Sequence, residues 1–106
     1  LSQNATPEVT SEDSHFRLRI LGILSTVASV QWYEFTAEPG AELVSEAHGN
    51  GSIENVTLCK GNLCVIVGDE TQSICTGETL RFRTDVPHRL KNEGEVVAHG
   101  FMVNLL

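Results

Sequence analysis

Residues 77–92 have the sequence GETLRFRTDVPHRLKN, in which a run of strand-forming residues leads into a turn. Pro87 fixes its own φ and pushes the residue before it into an extended conformation. Asp85 can hydrogen-bond to its own backbone, which favours a turn. The stretch therefore predicts a strand over Thr79–Arg83, followed by a defined turn that presents His88.

Short runs rich in β-branched and aromatic residues continue outward from this stretch, separated by glycine, proline, asparagine and aspartate. No window sustains helical periodicity for long. The candidate strands are Phe16–Leu24, Gln31–Ala37, Glu42–Glu46, Glu54–Leu58, Leu63–Val67, Thr71–Cys75, Thr79–Arg83 and Val96–Leu105. Turns are predicted at residues 39–40, 49–51, 60–62, 68–69, 76–77 and 92–94.

Short antiparallel strands at near-even spacing favour a closed barrel or double sheet, because closure removes exposed edges. The predicted fold class is all-β.

The composition is typical of one globular domain. The 106 residues are 41% hydrophobic and 20% charged, which suffices for a core without disulfides or metal. Residues 1–14 are polar and have no apolar period, so they predict a linker or disordered leader. The β-barrel domain is predicted over residues 15–106.

The charge balance disfavours two classes of partner. Seven basic and fourteen acidic residues give a net charge of −7, which repels phosphate polyanions and anionic membrane surfaces. No apolar run approaches the roughly 20 residues of a membrane span, and the N-terminus lacks the layout of a signal peptide. We expect a cytoplasmic chain that binds neither membranes nor, by itself, DNA.

The three cysteines are expected to be thiols on strands. Cys59, Cys64 and Cys75 are an odd set without the close paired spacing of a zinc ribbon. An alternative is that Cys59 and Cys64, which flank a predicted turn at residues 60–62, meet across a hairpin and form a redox pair.

A second stretch places potential ligands beside turn glycines. Residues 40–61 have the sequence GAELVSEAHGNGSIENVTLCKG. If the strand that begins this stretch extends to His48, Glu46 and His48 project from the same face. Glu54 shares a strand face with apolar residues, so its carboxylate is expected to look into the barrel.

Together the two stretches resemble the paired motifs of the cupin family. The first cupin motif is glycine, five residues, His-x-His, three or four residues, Glu, six residues and glycine. The second is glycine, five residues, Pro-x-Gly, two residues, His, three residues and Asn. The matching positions are Gly40, His48, Glu54, Gly61, Gly77, His88 and Asn92. Glu46 replaces the first histidine, Arg83 and Asp85 replace the proline and glycine, and five residues separate His48 from Glu54.

The resemblance implies a small cupin, or jelly-roll, β-barrel with a site inside it. Carried over residue by residue, the metal shell of metal-binding cupins implicates His48, Glu54 and His88, with Glu46 as an oxygen ligand. Such a set suits Zn²⁺, Fe²⁺, Mn²⁺ or Ni²⁺. The alternative is a metal-free pocket in which His48, Glu54, Phe82 and His88 bind water and an organic ligand.

Residues 82–92 also resemble cupin domains at the C-terminus of helix-turn-helix regulators of the XRE family. That resemblance implies a sensor domain for a small-molecule effector, a DNA-binding domain upstream of the linker, and a homodimer. The alternative is a small metal-dependent enzyme, a dioxygenase or an isomerase. The missing first histidine and the lack of an acid–base pair or nucleophile arrangement favour the sensor.

The sequence also predicts roles for two further polar residues. Asn92 is expected to fix the turn after His88, since asparagine readily satisfies local backbone groups. His99 alternates with apolar residues of the last strand, so it either faces the pocket or is a satisfied core histidine.

Overall fold

The computed structural model describes residues 8–11, 15–22 and 30–106, and these residues form two antiparallel sheets. None of the described residues is helical, so the predicted all-β class is confirmed. The strands are β1 (Glu8–Thr10), β2 (Phe16–Ile20), β3 (Val30–Ala37), β4 (Glu42–Ser45), β5 (Ile53–Lys60), β6 (Asn62–Val67), β7 (Glu70–Cys75), β8 (Thr79–Arg83), β9 (His88–Lys91) and β10 (Ala98–Leu105).

The large sheet has the order β1-β2-β3-β10-β5-β8 and the small sheet the order β4-β9-β6-β7. Consecutive strands such as β5 and β6 therefore lie in different sheets, and the chain crosses between them at Gly61. The φ of Gly61 is 90°, and a Cβ there would lie 3.1 Å from the carbonyl oxygen of Val97. Because the crossing needs a left-handed residue in close contact with backbone, glycine is required.

The predicted turns agree with the backbone conformation. In the described part of the chain five glycines adopt positive φ, and every one of them lies in a predicted turn: Gly40, Gly51, Gly61, Gly68 and Gly77. These turns close the strands at the positions that the sequence punctuation indicates.

The hydrophobic core lies between the two sheets. Its buried side chains come from both of them: Phe16, Phe35, Val56, Leu58 and Met102 from the large sheet, and Leu63, Val65, Ile74 and Leu90 from the small one. Along β5 and β10 burial alternates residue by residue, as the pleat of a strand requires. Each sheet therefore contributes one face to the interior.

The observed strands depart from the predicted ones most clearly at β2, β9 and β10. Strand β2 ends at Ile20, and residues 23–24 of the predicted first strand lie outside the described residues. Strand β10 begins at Ala98 and not at Val96. Strand β9 was not predicted, because its four residues alternate between basic and buried side chains and carry no β-branched residue.

The predicted linker over residues 1–14 contains a short strand. Within it, β1 pairs with β2, opposing Glu8 to Arg19 and Thr10 to Arg17, and all three residues of β1 are exposed. The three residues Glu8–Thr10 are therefore ordered as a strand. The pairing adds an outer edge strand to the large sheet.

The hairpin proposed for Cys59 and Cys64 is not formed, because β5 and β6 belong to different sheets. Cys59 is exposed and Cys64 is buried, and both are free thiols. Among the residues that the structure describes, no helix is long and apolar enough to cross a membrane.

Candidate functional site

A cavity of about 130 Å³ lies inside the barrel, between the two sheets. Its apolar wall is Leu18, Leu43 and Met102, and its polar wall is Gln31, Tyr33, Ser45, His48, Glu54 and Asn104. The lining comes from β2, β3, β5 and β10 of the large sheet, from β4 of the small sheet, and from the loop after β4. A molecule in this cavity would touch both sheets.

Strand register explains why polar groups meet there. In the large sheet, Glu54 lies opposite Asn104 on one side and Phe82 on the other, and Asn104 lies opposite Gln31. These four side chains form one row across the sheet, at the end of β5 that is furthest from Leu58. The row places a carboxylate and two amides side by side on an inward face.

Glu54 is the most deeply buried acid of the site. Its side chain is 3% exposed, and its Oε2 atom has no hydrogen-bond partner in the described part of the chain. Burial raises the pKa of Glu54 to about 7, although a hydrogen bond from Asn104 acts in the opposite direction. The prediction that this carboxylate looks into the barrel is confirmed.

His48 lies in the loop after β4, where its backbone N–H donates to the carbonyl oxygen of Thr84 at 2.7 Å. Its Nδ1 atom is buried, and no described residue forms a hydrogen bond with it. The pKa of His48 is lowered, first by burial and then by the nearby His88. The imidazole is therefore held in its neutral form, in which one ring nitrogen can accept a hydrogen bond.

His88 lies on β9, between β4 and β6, and is 3% exposed. Its Nδ1 atom lies 2.9 Å from the carbonyl oxygen of Val86, and since a carbonyl only accepts, Nδ1 donates. The turn before His88 thus fixes the ring through the backbone. The rings of His48 and His88 meet edge to face, with centroids 5.1 Å apart.

Phe82 does not line the barrel cavity, although it packs against the hydrophobic core. Its ring centroid lies 6.0 Å from that of His88, but Phe82 lines a separate cleft of about 240 Å³ beside β7 and β8. Of the four predicted pocket residues, His48 and Glu54 line the barrel cavity. The ring of His48 contacts that of His88, and the ring of His88 contacts that of Phe82.

Glu46 does not share a strand face with His48. Strand β4 ends at Ser45, and Glu46 is exposed in the loop that follows. Ser45, one position earlier, takes the place on the cavity wall and lies opposite His88 in the register. The expected pairing of Glu46 with His48 is wrong because the strand stops before it reaches them.

The side chains as placed do not form a metal shell. Across residues 8–11, 15–22 and 30–106, no group of three or more His, Cys, Asp or Glu side chains is arranged to hold a metal ion. Glu46 is exposed and does not line the cavity. Metal binding at His48, Glu54 and His88 therefore stays a prediction.

Two cavity residues that the sequence did not single out contribute to its chemistry. Asn104 is buried, and its Oδ1 atom accepts no hydrogen bond from any residue that the structure describes. The hydroxyl of Tyr33 donates to Gln31 Oε1 at 2.8 Å, and the pKa of Tyr33 is raised by burial and by the charge of Glu54. Asn104 follows Met102 by two positions, so both lie on the inward face of β10. A polar residue at such a position is the signal that could have revealed Asn104.

Asn92 has the structural role predicted for it. It is fully buried, its Nδ2 donates to the carbonyl oxygens of Ala37 (3.0 Å) and Val96 (2.8 Å), and its Oδ1 accepts from the N–H of Gly94 (2.9 Å). His99 fulfils neither expectation. It lies on the outer face of β10, where its Nε2 contacts Glu34 Oε2 at 2.9 Å.

Comparison with known proteins relates most of the chain to one family. Residues 33–104 match the family model of the cupin domain, Cupin_2. The chain is 30% identical over 99 residues to the HTH-type transcriptional regulator SutR of Escherichia coli (strain K12), covering 92% of this chain and 55% of that protein. The chain thus spans about half the length of this curated relative.

Solved structures share the same fold. The crystal structure of the Cupin_2 domain of an XRE family transcriptional regulator from Enterobacter cloacae has a TM-score of 0.79 at 22% identity, covering 87% of this chain and 97% of that one. An HTH_3 family transcriptional regulator from Vibrio cholerae has a TM-score of 0.79 at 20% identity, covering 90% of this chain and 53% of that one.

Proposed function

This chain belongs to the cupin family, and we propose that it is the ligand-sensing domain of a bacterial transcriptional regulator. A small molecule enters the barrel cavity and alters the activity of an attached helix-turn-helix domain. The regulator relatives support this assignment, because both the curated protein and two structures of the same fold are named as regulators.

One observation carries the binding part of the proposal. Three buried polar atoms, Glu54 Oε2, Asn104 Oδ1 and His48 Nδ1, have no hydrogen-bond partner among the described residues, and all three belong to residues that line a single cavity. Leaving such an atom unpaired costs about 1–3 kcal/mol, so folded proteins rarely tolerate it without a reason. A ligand that pairs these atoms supplies that reason.

The cavity is placed so that its occupancy can change the shape of the domain. Glu54 and Asn104 belong to the large sheet, whereas His48 follows β4 of the small sheet. A ligand that bonds to both sides would favour one spacing of the sheets over another. Such a ligand shifts an equilibrium by the difference in its affinity for the two states.

DNA contact in this proposal belongs to a domain outside the chain. A net charge of −7 makes this domain a poor binder of phosphates. The regulator would act in the cytoplasm as a homodimer, so that two helix-turn-helix domains meet two half-sites of an operator.

The regulator assignment is tested by the residues encoded immediately before Leu1. A helix-turn-helix pattern there is the expected result. A start codon close to Leu1 would contradict the regulator and favour the alternative, an independent metal-dependent enzyme.

The binding assignment is tested by a thermal-shift screen of small metabolites on the purified chain. We expect at least one compound to raise the melting temperature of the wild type and to have no effect on His48→Ala. A screen without such a compound would contradict a sensing cavity.

A divalent metal, Zn²⁺, Fe²⁺, Mn²⁺ or Ni²⁺, remains a separate part of the proposal, with His48, Glu54 and His88 as its ligands. Elemental analysis of the purified wild type, His48→Ala and His88→Ala tests it. Metal in the wild type that both variants lose is the supporting result. Equal and negligible metal in all three contradicts it.

A further inference from the structure

The three unpartnered atoms in the barrel cavity share one chemical property, which is that each can accept a hydrogen bond. Glu54 Oε2 and Asn104 Oδ1 are oxygen acceptors, and Nδ1 of a neutral His48 accepts when the proton is on the other ring nitrogen. A ligand that satisfies all three must therefore bring donors. A ligand made only of acceptors would leave every one of them unpaired.

The charge of the cavity wall points in the same direction. The described residues that line it include one carboxylate, Glu54, and neither lysine nor arginine. A ligand carboxylate, phosphate or sulfate would lie beside Glu54 in a buried site without a compensating cation, which is costly. The wall therefore disfavours anions and favours a cation.

The size and the apolar wall limit the rest of the ligand. The volume of about 130 Å³ corresponds to roughly four water molecules. Leu18, Leu43 and Met102 give one side of the cavity an apolar surface. A short hydrocarbon chain attached to a polar head fits this wall.

We infer that the cavity recognises a small primary amine in its ammonium form, with the head group donating to Glu54, Asn104 and His48. An ammonium group has three N–H donors, which matches the three acceptors in number. This inference rests on the proposed function, and it names the chemical class of the ligand at the same site.

The test is calorimetric titration of the purified chain with three probes of equal length, n-propylamine hydrochloride, n-propanol and sodium propionate, at about pH 8.5, where the Glu54 carboxyl is ionised. We expect n-propylammonium to bind more tightly than the other two. Removal of the negative charge in Glu54→Gln should weaken its binding by about tenfold or more, with the shape of the site preserved.

Two further variants separate recognition inside the cavity from general attraction to an acidic chain and from loss of folding. Glu95→Gln removes one exposed acid outside the cavity, so it should bind n-propylammonium like the wild type. Asn104→Ala removes one of the three acceptors, so it should weaken binding as well. Melting curves of all variants establish that they fold, and Asn104→Ala keeps the test decisive if Glu54→Gln does not.

The outcomes separate this inference from the proposed function. Propionate or n-propanol binding as tightly as the amine would overturn the inference, as would amine binding that Glu54→Gln leaves unchanged, because the latter is general attraction to an acidic chain. Absence of heat from all three probes also overturns it. The sensing function survives any of these results if the thermal-shift screen finds a ligand of another class, and fails with the inference if it finds none.

Discussion

The two ends of the barrel interior are built by the same strands but differ in chemistry. At one end, Leu58 on β5 packs with Phe35 and Leu63 in an apolar core. At the other end of the same strand, Glu54 lies beside Asn104 with unpaired oxygens. Strand alternation directs both Leu58 and Glu54 inward, so burial alone does not distinguish the ends.

The apolar end, called here the core end, contributes stability, whereas the polar end forms the candidate binding site. Apolar burial contributes about 25 cal/mol per Å² at the core end. Buried acceptors without partners reduce stability at the polar end, which is the usual compromise of a binding site. Disturbing the packing at the core end should therefore lower the free energy of unfolding, whereas replacing the buried carboxyl at the polar end by an apolar side chain should raise it.

The largest effect is expected at Gly100, in the core end of β10. A Cβ there would lie 2.1 Å from the carbonyl oxygen of Thr57 and 2.7 Å from the ring of Phe35. Gly100→Ala should therefore lower the free energy of unfolding by about 4 kcal/mol, or prevent folding. Chemical denaturation measures this. Gly49→Ala is the control, since a Cβ at Gly49 meets nothing within 4 Å, and its effect should stay within about 0.5 kcal/mol. Equal effects would contradict the packing described.

The second-largest effect is a dependence of stability on pH. It comes from Glu54, at the polar end of the barrel interior. Its pKa is raised from 4.5 to about 7 in the folded state, so the folded chain binds the proton more tightly than the unfolded chain. Stability from this group is fully present below 4.5 and is lost as the pH rises through 7, by at most about 3 kcal/mol.

Denaturation of the wild type and of Glu54→Gln across this pH range measures that contribution. The lowered pKa of His48 has the opposite sign, and it is common to both proteins. The difference between them therefore isolates Glu54. A pH profile that Glu54→Gln leaves unchanged would show that this carboxyl titrates normally.

A smaller effect separates a satisfied buried amide from an unsatisfied one. Asn92 makes three hydrogen bonds to backbone, so Asn92→Ala should cost about 2 kcal/mol. Asn104 has an unpaired oxygen, so Asn104→Ala should cost less. Urea midpoints of the two variants provide the comparison. A greater loss for Asn104→Ala would mean that its oxygen has a partner.

The fold could be predicted largely from the sequence, because turn glycines and the period of the strands are local signals. For seven of the eight predicted strands, both ends agree with an observed strand to within two residues. The exception is the first predicted strand, which corresponds to β2. Strand β9 was not predicted, because its pairing partners β4 and β6 are distant in sequence. Its four residues acquire their conformation from these neighbours and carry little preference of their own.

The site could be predicted only in part, because alternation gives the face of a residue but not its register. His48 and Glu54 were found through their motif positions. Asn104 was missed because its place beside Glu54 depends on the pairing of β10 with β5. Glu46 was wrongly placed because the end of β4 is set by the loop that carries His48, which its own sequence does not reveal.

The most direct test of the contrast between the two ends is the free energy of unfolding of Glu54→Leu at neutral pH, without ligand. A leucine removes the buried carboxylate and fills similar space, so we predict a gain of about 1 kcal/mol over the wild type, accompanied by loss of ligand binding. A loss of about 2 kcal/mol or more, of the size expected for a core defect, would contradict the account. Glu54 would then be part of the structural core and not the centre of a binding site.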